Sequence, residues 1–216
     1  MADTTVDLVT LAEIKPGLNI LPSDTSYDTE LQVIITAVSQ RFRDLCGAIV
    51  NTTYTDEVYD GGDPEIWLDH ASPVSKTATT TVSAVKEYDT SGALTTLTGE
   101  TVTSKPNDSF VLSKADGERN RLYRRSAGGD YLFGPGRGNI LVTYTTGRAA
   151  NTAAVPANFK QAAIITINHI WTNLGAQSGA ARPAQTDGLL FSFPAWSIPK
   201  AAIDLIKDEL NAPGVA

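Results

Sequence analysis

Residues Asp28–Gly47 read DTELQVIITAVSQRFRDLCG, and the periodicity of this stretch sets the fold. Leu31, Ile34, Ile35, Val38, Phe42 and Leu45 fall on one face of a 3.6-residue helix. Asp28 is placed to cap the N-terminus by accepting an orphan backbone N–H. Gly47 follows the last apolar turn, where a left-handed residue ends a helix. Glu30, Gln32, Arg41, Arg43 and Asp44 make the polar face. A helix with one apolar face needs cover, so the flanking sequence is read for what supplies it.

Upstream, Thr10-Leu11-Ala12-Glu13 has the form of a capping box, and Pro16-Gly17 is expected to end that short helix. Downstream, the period changes. Residues 51–148 are rich in Thr, Val and Tyr with regular turn signals, which predicts short antiparallel strands. Strands are expected at 52–59, 65–69, 79–88, 93–97, 109–113, 119–125 and 140–146. Asp60-Gly61-Gly62-Asp63 is read as the turn of a hairpin joining the first two, and Gly134–Gly138 as a hairpin tip. The helical period returns at Pro156–Leu174, where Phe159, Ala163, Ile167, Ile170 and Leu174 form a stripe widened by Ile164, Ile165 and Trp171. A helix this apolar needs cover on two sides. The helix at 28–47 is one cover; the β module or a neighbouring subunit is expected to be the other. After a Gly/Ala/Pro/Ser-rich stretch, a last helix is predicted over 198–210, with Ser197 as its cap. The fold class expected is α+β: a small helical bundle from both chain ends, with a large antiparallel β module inserted between helices. The domains are 1–50, 51–148 and 149–216.

Charge narrows the function. The net charge is −7, and residues 1–60 alone hold ten Asp/Glu against three Lys/Arg. Phosphate-backbone binding needs a positive field, so ordinary nucleic-acid binding is excluded. No apolar run is long enough to span a bilayer, and the first residues lack a signal-peptide core, so no membrane partner is expected. The single cysteine, Cys46, forbids an internal disulfide and reads as a small buried side chain.

No catalytic constellation stands out. His70 and His169 are the only histidines; neither has metal-ligand spacing, and both read as structural or surface residues. Gly134-Pro135-Gly136-Arg137-Gly138 lacks the Lys-Ser/Thr ending of a phosphate loop. Asp56, Glu57, Asp60 and Asp63 do not follow an EF-hand pattern. Arg119, Arg121 and Arg125 alternate onto one strand face and Arg124 onto the other; they are read as a solvated face beside acidic neighbours, or as an inter-subunit ion-pair or phosphate contact. No enzyme activity and no cofactor or metal are expected.

The chain resembles the head–tail connector (adaptor) proteins of long-tailed double-stranded DNA bacteriophages. The residues that carry the likeness are Leu8–Ile20 (LVTLAEIKPGLNI), Asp28–Val38 (DTELQVIITAV), Leu45-Cys46-Gly47 and Tyr54–Gly62 (YTDEVYDGG). Leu68, Pro73-Val74, Val155-Pro156 and Ile198-Pro199 follow in the same order. Pro16-Gly17 departs from it, since helix continuation is usual there. The resemblance implies a homo-oligomeric ring of about twelve subunits in the virion neck, made in the host cytoplasm. Its partners would be the portal protein and a stopper or tail-completion protein, and DNA would pass through unbound. It implies a C-terminal portal-docking segment, with Trp196, Ile198, Leu205, Ile206 and Leu210 as candidates. Deleting 198–216 is expected to abolish portal binding and leave the fold. Subunit-contact candidates are Arg41, Arg43, Ile164, Trp171, Arg119 and Arg121; hairpin-tip candidates for the next ring or a neighbouring subunit are Tyr131, Phe133 and Arg137. An acidic bore would let DNA slide without sticking. The rival reading is a β-sandwich module binding carbohydrate or a cell surface, which would need exposed aromatics on one face. A small carboxylate hydrolase ranks last.

Overall fold

The computed structural model describes residues 6–70, 79–113, 120–177 and 197–210. The chain divides into two compact units: a helical one from Met1–Val50 with Ala149–Leu210, and a β unit from Asn51–Arg148.

In the helical unit, α1 (Leu11–Ile14) opens with the capping box: Thr10 N–H donates to Glu13 Oε2 at 2.8 Å. The α-helix stops at Ile14, before Pro16-Gly17, as expected, and one 3-10 turn follows. Pro16 sits in the first turn of that 3-10 segment, Lys15–Leu18, where a missing N–H costs nothing. Asn19, at φ 56°, closes that turn. Helix α2 (Asp28–Cys46) follows, with Leu31, Ile34, Ile35, Val38 and Phe42 buried. Its cap differs from expectation. Tyr27 is the N-cap residue and makes no side-chain capping bond. Asp28 lies one position inside and pairs at 2.6 Å with the buried Lys15 Nζ, which also donates to Asp24 O at 2.8 Å. The carboxylate therefore holds the 19–27 loop through Lys15. Gly47 has the positive φ a helix end requires, 75°, and its N–H reaches Arg43 O at 2.8 Å.

Helix α3 (Ala157–Gln177) is covered within the chain. It packs against α2, against the 3-10 turn after α1, and against α4 (Lys200–Ile206). The second cover expected from the β module or another subunit is therefore α4. Ala162, Ala163 and Ala202 are fully buried, and such small side chains let helices approach closely. Helix α4 starts later than predicted, with Pro199 rather than Ser197 at its N-cap, and ends in a 3-10 turn at Lys207–Glu209. The unit's two exits run side by side, with Val50 bridged to Ala149.

The β unit is an eight-stranded sheet. Its strands are β1 (Thr52–Tyr59), β2 (Glu65–Trp67), β3 (Thr79–Tyr88), β4 (Leu94–Gly99), β5 (Ser109–Leu112), β6 (Arg121–Ser126), β7 (Gly129–Asp130) and β8 (Ile140–Gly147). The order is β1-β8-β3-β4-β5-β6-β2, with β7 on β6. The expected hairpins β3–β4 and β5–β6 form. Two expectations do not hold. The sheet is mixed, because β4 and β5 pair parallel. And β1 and β2 are not a hairpin: they lie at opposite ends of the strand order. The segment between them runs beside 133–136, with Gly61 N–H donating to Gly136 O at 2.9 Å and Phe133 N–H to Asp63 O at 3.0 Å. A Cβ on Gly61 would lie 2.0 Å from the Gly134 carbonyl oxygen. Gly61 serves this close approach rather than a tight turn, and Gly134–Gly138 is packed against it rather than being a free tip.

Two bulges set which side chains face inward. At Asp56, φ is 50° and the β1–β8 register shifts between Tyr54 and Glu57. Glu57 and Tyr59 thereby join Tyr54 on the half-buried side, and Val58 is turned out, 59% exposed. A second shift, between Val82 and Ala84, turns Val85 and Glu87 inward. Strand β8 alternates without interruption, Ile140, Val142 and Tyr144 buried. Side chains from β2, β3, β4, β5, β6 and β8 share one core with Phe133, so the sheet curls around it.

Candidate functional site

Two polar clusters lie on the β unit. The first forms where β1's bulge meets β8. Glu57 Oε2 accepts hydrogen bonds from the Tyr59 hydroxyl and, at 2.6 Å, from the Tyr144 hydroxyl. Its other oxygen lies 3.1 Å from His70 Nε2. The His70 ring stacks on Tyr54 with centroids 4.1 Å apart. The two phenols also accept backbone N–H bonds, Tyr59 from Asp69 and Tyr144 from His70, both at 3.2 Å. The cluster clamps the chain leaving β2 onto the sheet. Burial first, and the Glu57 carboxylate second, push both phenols above their ordinary value of 10.0. A raised phenol pKa favours the neutral form in the folded state. That stability is complete below about pH 10 and is lost as pH rises beyond it. Urea unfolding should therefore show the β unit weakening above about pH 10, and Tyr144→Phe should flatten that slope. The same change should cost about 1–2 kcal/mol at neutral pH. A wild-type slope kept in Tyr144→Phe would refute this role.

The second cluster lies inside the curl. Arg124, 4% exposed, donates from Nε to Glu87 Oε2 at 3.2 Å, from Nη2 to Asp108 Oδ1 at 2.8 Å, and from Nη1 to Ser109 O at 3.3 Å. Glu87 also accepts from the Gly134 N–H. Above this pair opens a cleft of about 660 Å³, lined by Pro64, Tyr131, Leu132, Phe133 and Pro135, with Asp89 and Asp130 among its walls.

The candidate contact residues fall in different settings. Arg41 is exposed and lines a cavity of about 350 Å³ together with Val38, Ile170 and Ile198, so a subunit-contact candidate and a docking candidate share one site. Arg43 is half-buried, about 200° round α2 from Arg41; the two do not form one patch. Ile164 is half-buried against the helical core. Trp171 is 7% exposed and packs edge-on to Tyr27 at 5.5 Å; its indole is used inside the chain, not left for a neighbour. Ile206 is 1% exposed, and Leu210 is half-buried on the same core. Leu205 is 40% exposed. Tyr131 and Arg137 are at the surface, but Phe133 is 1% exposed in the β core, not at a tip. Arg121 covers the Trp67 ring at 4.0 Å and pairs with Glu65 at 3.5 Å. Arg119 and Trp196 lie outside the described residues.

The arginines are not one solvated face: Arg124 is buried, and only its odd phase in the strand distinguished it. Asp56, Glu57 and Asp60 do not converge on one point. Asp56 pairs with Lys86 at 2.8 Å, Glu57 faces the phenols, and Asp60 accepts from Gly138 N–H at 2.7 Å. Among the described residues no group of three or more His, Cys, Asp or Glu could hold a metal, and no helix is long and apolar enough to cross a membrane. The carbohydrate reading needs an open aromatic face, and the ring of the half-exposed Trp67 carries Arg121 instead.

No family model matches the sequence, and no curated protein is similar to it. Solved structures similar in fold include two chains of gene transfer agent particles. One is a chain in the neck of an empty gene transfer agent particle, with TM-score 0.56 and 18% identity, covering 96% of this chain and 92% of that one. The other is a chain of the virion of a native gene transfer agent particle, with TM-score 0.51 and 16% identity over the same shares.

Proposed function

We propose that the chain is a structural subunit of the neck of a phage-like particle: a head–tail adaptor whose copies form a ring between portal and stopper or tail, with DNA passing through. The observation that carries this is the fold likeness over 96% of the chain to a neck component. The motif order in the sequence supports it independently, and so does the acidic N-terminal segment, which disfavours phosphate contacts. The role needs no catalysis. The helical unit is the ring body and the β unit presents contacts to neighbours or to the next ring. Portal docking falls to the exposed side of the C-terminal helix, around Leu205, with the Arg41–Ile198 cavity beside the helix entrance as a subunit contact.

Deleting residues 198–216 is not a clean test of docking, because Ala202 and Ile206 of α4 belong to the helical core. Negative-stain electron microscopy of the full chain, with and without portal protein, is the direct test. Rings, or portals capped by an added ring, are expected. A chain that stays monomeric beside portal and binds glycan instead would overturn the reading.

A further inference from the structure

The cleft of the β unit carries an inference that does not rest on the neck reading. Its floor is Phe133, 1% exposed, and its lip is Tyr131-Leu132, each 56% exposed. Two adjacent large apolar side chains in water beside an apolar floor make a receptor surface rather than scattered exposure. Pro64 and Pro135 line the walls, and neither offers a backbone N–H.

Charge says what fits. Of the four charged residues lining the cleft, three are carboxylates: Glu87, Asp89 and Asp130. The one cation, Arg124, is buried under the Tyr131 ring, 5.3 Å from its centroid, and is spent on Glu87, Asp108 and carbonyls. The charges that meet solvent are therefore negative. Asp89 is exposed, and bonds from the Ser91 side chain and the Ala93 backbone hold its carboxyl below the usual range. Asp130 is exposed at its side chain and is already ion-paired with the Arg125 guanidinium, so among the described residues Asp89 is the acid of the lining without an ion pair. Asp63 adds an exposed carboxylate between the lining residues Gly62 and Pro64.

We infer that this cleft docks an extended segment of a partner protein carrying a bulky apolar side chain flanked by lysine or arginine. The apolar side chain seats on Phe133 between Tyr131 and Leu132. One flanking cation meets Asp89, and another shares Asp130 with Arg125. An acidic segment would face like charge, and a polar one would leave the floor unfilled.

The test uses the full chain, ¹⁵N-labelled, and three peptides: acetyl-Lys-Leu-Lys-Phe-Lys-amide, its counterpart with Glu for Lys, and its counterpart with Ser for Leu and Phe. The first should shift the amides of 130–134 and Thr95 saturably; the other two should not. Leu132→Ser, at an exposed position, should weaken binding about tenfold. Asp89→Asn, which keeps acceptors for its turn, should weaken it about threefold and reduce its salt dependence. Equal binding of the acidic peptide, or shifts confined to the acidic N-terminal segment, would overturn the inference. So would unchanged binding by a folded Leu132→Ser chain. Self-association of the wild type that Leu132→Ser abolishes would overturn it too, by making a second copy the occupant.

Discussion

Arg124→Ala is expected to destabilise the β unit by about 3–5 kcal/mol, the cost of breaking a buried ion pair by removing one partner. The side chain is 4% exposed and ties β6 to Glu87 of β3, to Asp108 and to the Ser109 carbonyl. Without it, Glu87 stays buried as a charge whose remaining partner is the Gly134 N–H, and the carbonyls lose their donor. Glu87→Ala should cost less, because Arg124 would keep Asp108 and the carbonyls. The double variant should be less destabilised than the two singles summed, because the pair acts as a unit. Urea unfolding followed on the amides of Leu122 and Val142 would read this. A loss under about 1 kcal/mol for Arg124→Ala would mean that water reaches the pair and that it is no buried bridge.

Neighbouring positions on α4 should behave oppositely. Ile206 is 1% exposed in the helical core and Leu205 is 40% exposed. Ile206→Asp places an unpaired carboxylate among apolar side chains and should cost about 4 kcal/mol or more. Leu205→Asp should stay within about 0.5 kcal/mol of wild type. Pull-down with portal protein then separates fold from docking. Under the proposed function, Leu205→Asp loses portal binding while its unfolding curve is unchanged. Leu205→Asp that binds portal as wild type does would remove this face from the docking surface, and a stable Ile206→Asp would mean that α4 does not belong to the core.

Much of the architecture was legible because local pattern and tertiary burial agree. Helix α2 announced its buried face through Leu31 to Phe42, and β8 its core through Ile140, Val142 and Tyr144. In β1 and β3, by contrast, strict alternation misassigns the inward side. The bulges at Asp56 and Val82–Ala84 shift the phase by one residue, and a one-residue shift turns every later side chain over. The Glu57–Tyr59–Tyr144–His70 cluster was hidden for that reason. The Tyr131 cleft was hidden because Gly134–Gly138 has the composition of a free tip, while its packing partner, Gly61, lies far away in sequence.

The sequence by itself determined the α+β class, the helical ends, the β insertion and the acidic charge balance, since composition and periodicity are local properties. Only the tertiary structure decided what covers α3. An apolar helix surface declares that it must be buried, not by what, because the hydrophobic effect is non-directional. The sequence left the β module and a second subunit as candidates; α4 of the same chain is the cover. Strand partners were decided the same way. β1 pairs with β8 rather than with β2, because pairing follows shared burial across the whole sheet, not the presence of a Gly-Gly between two strands.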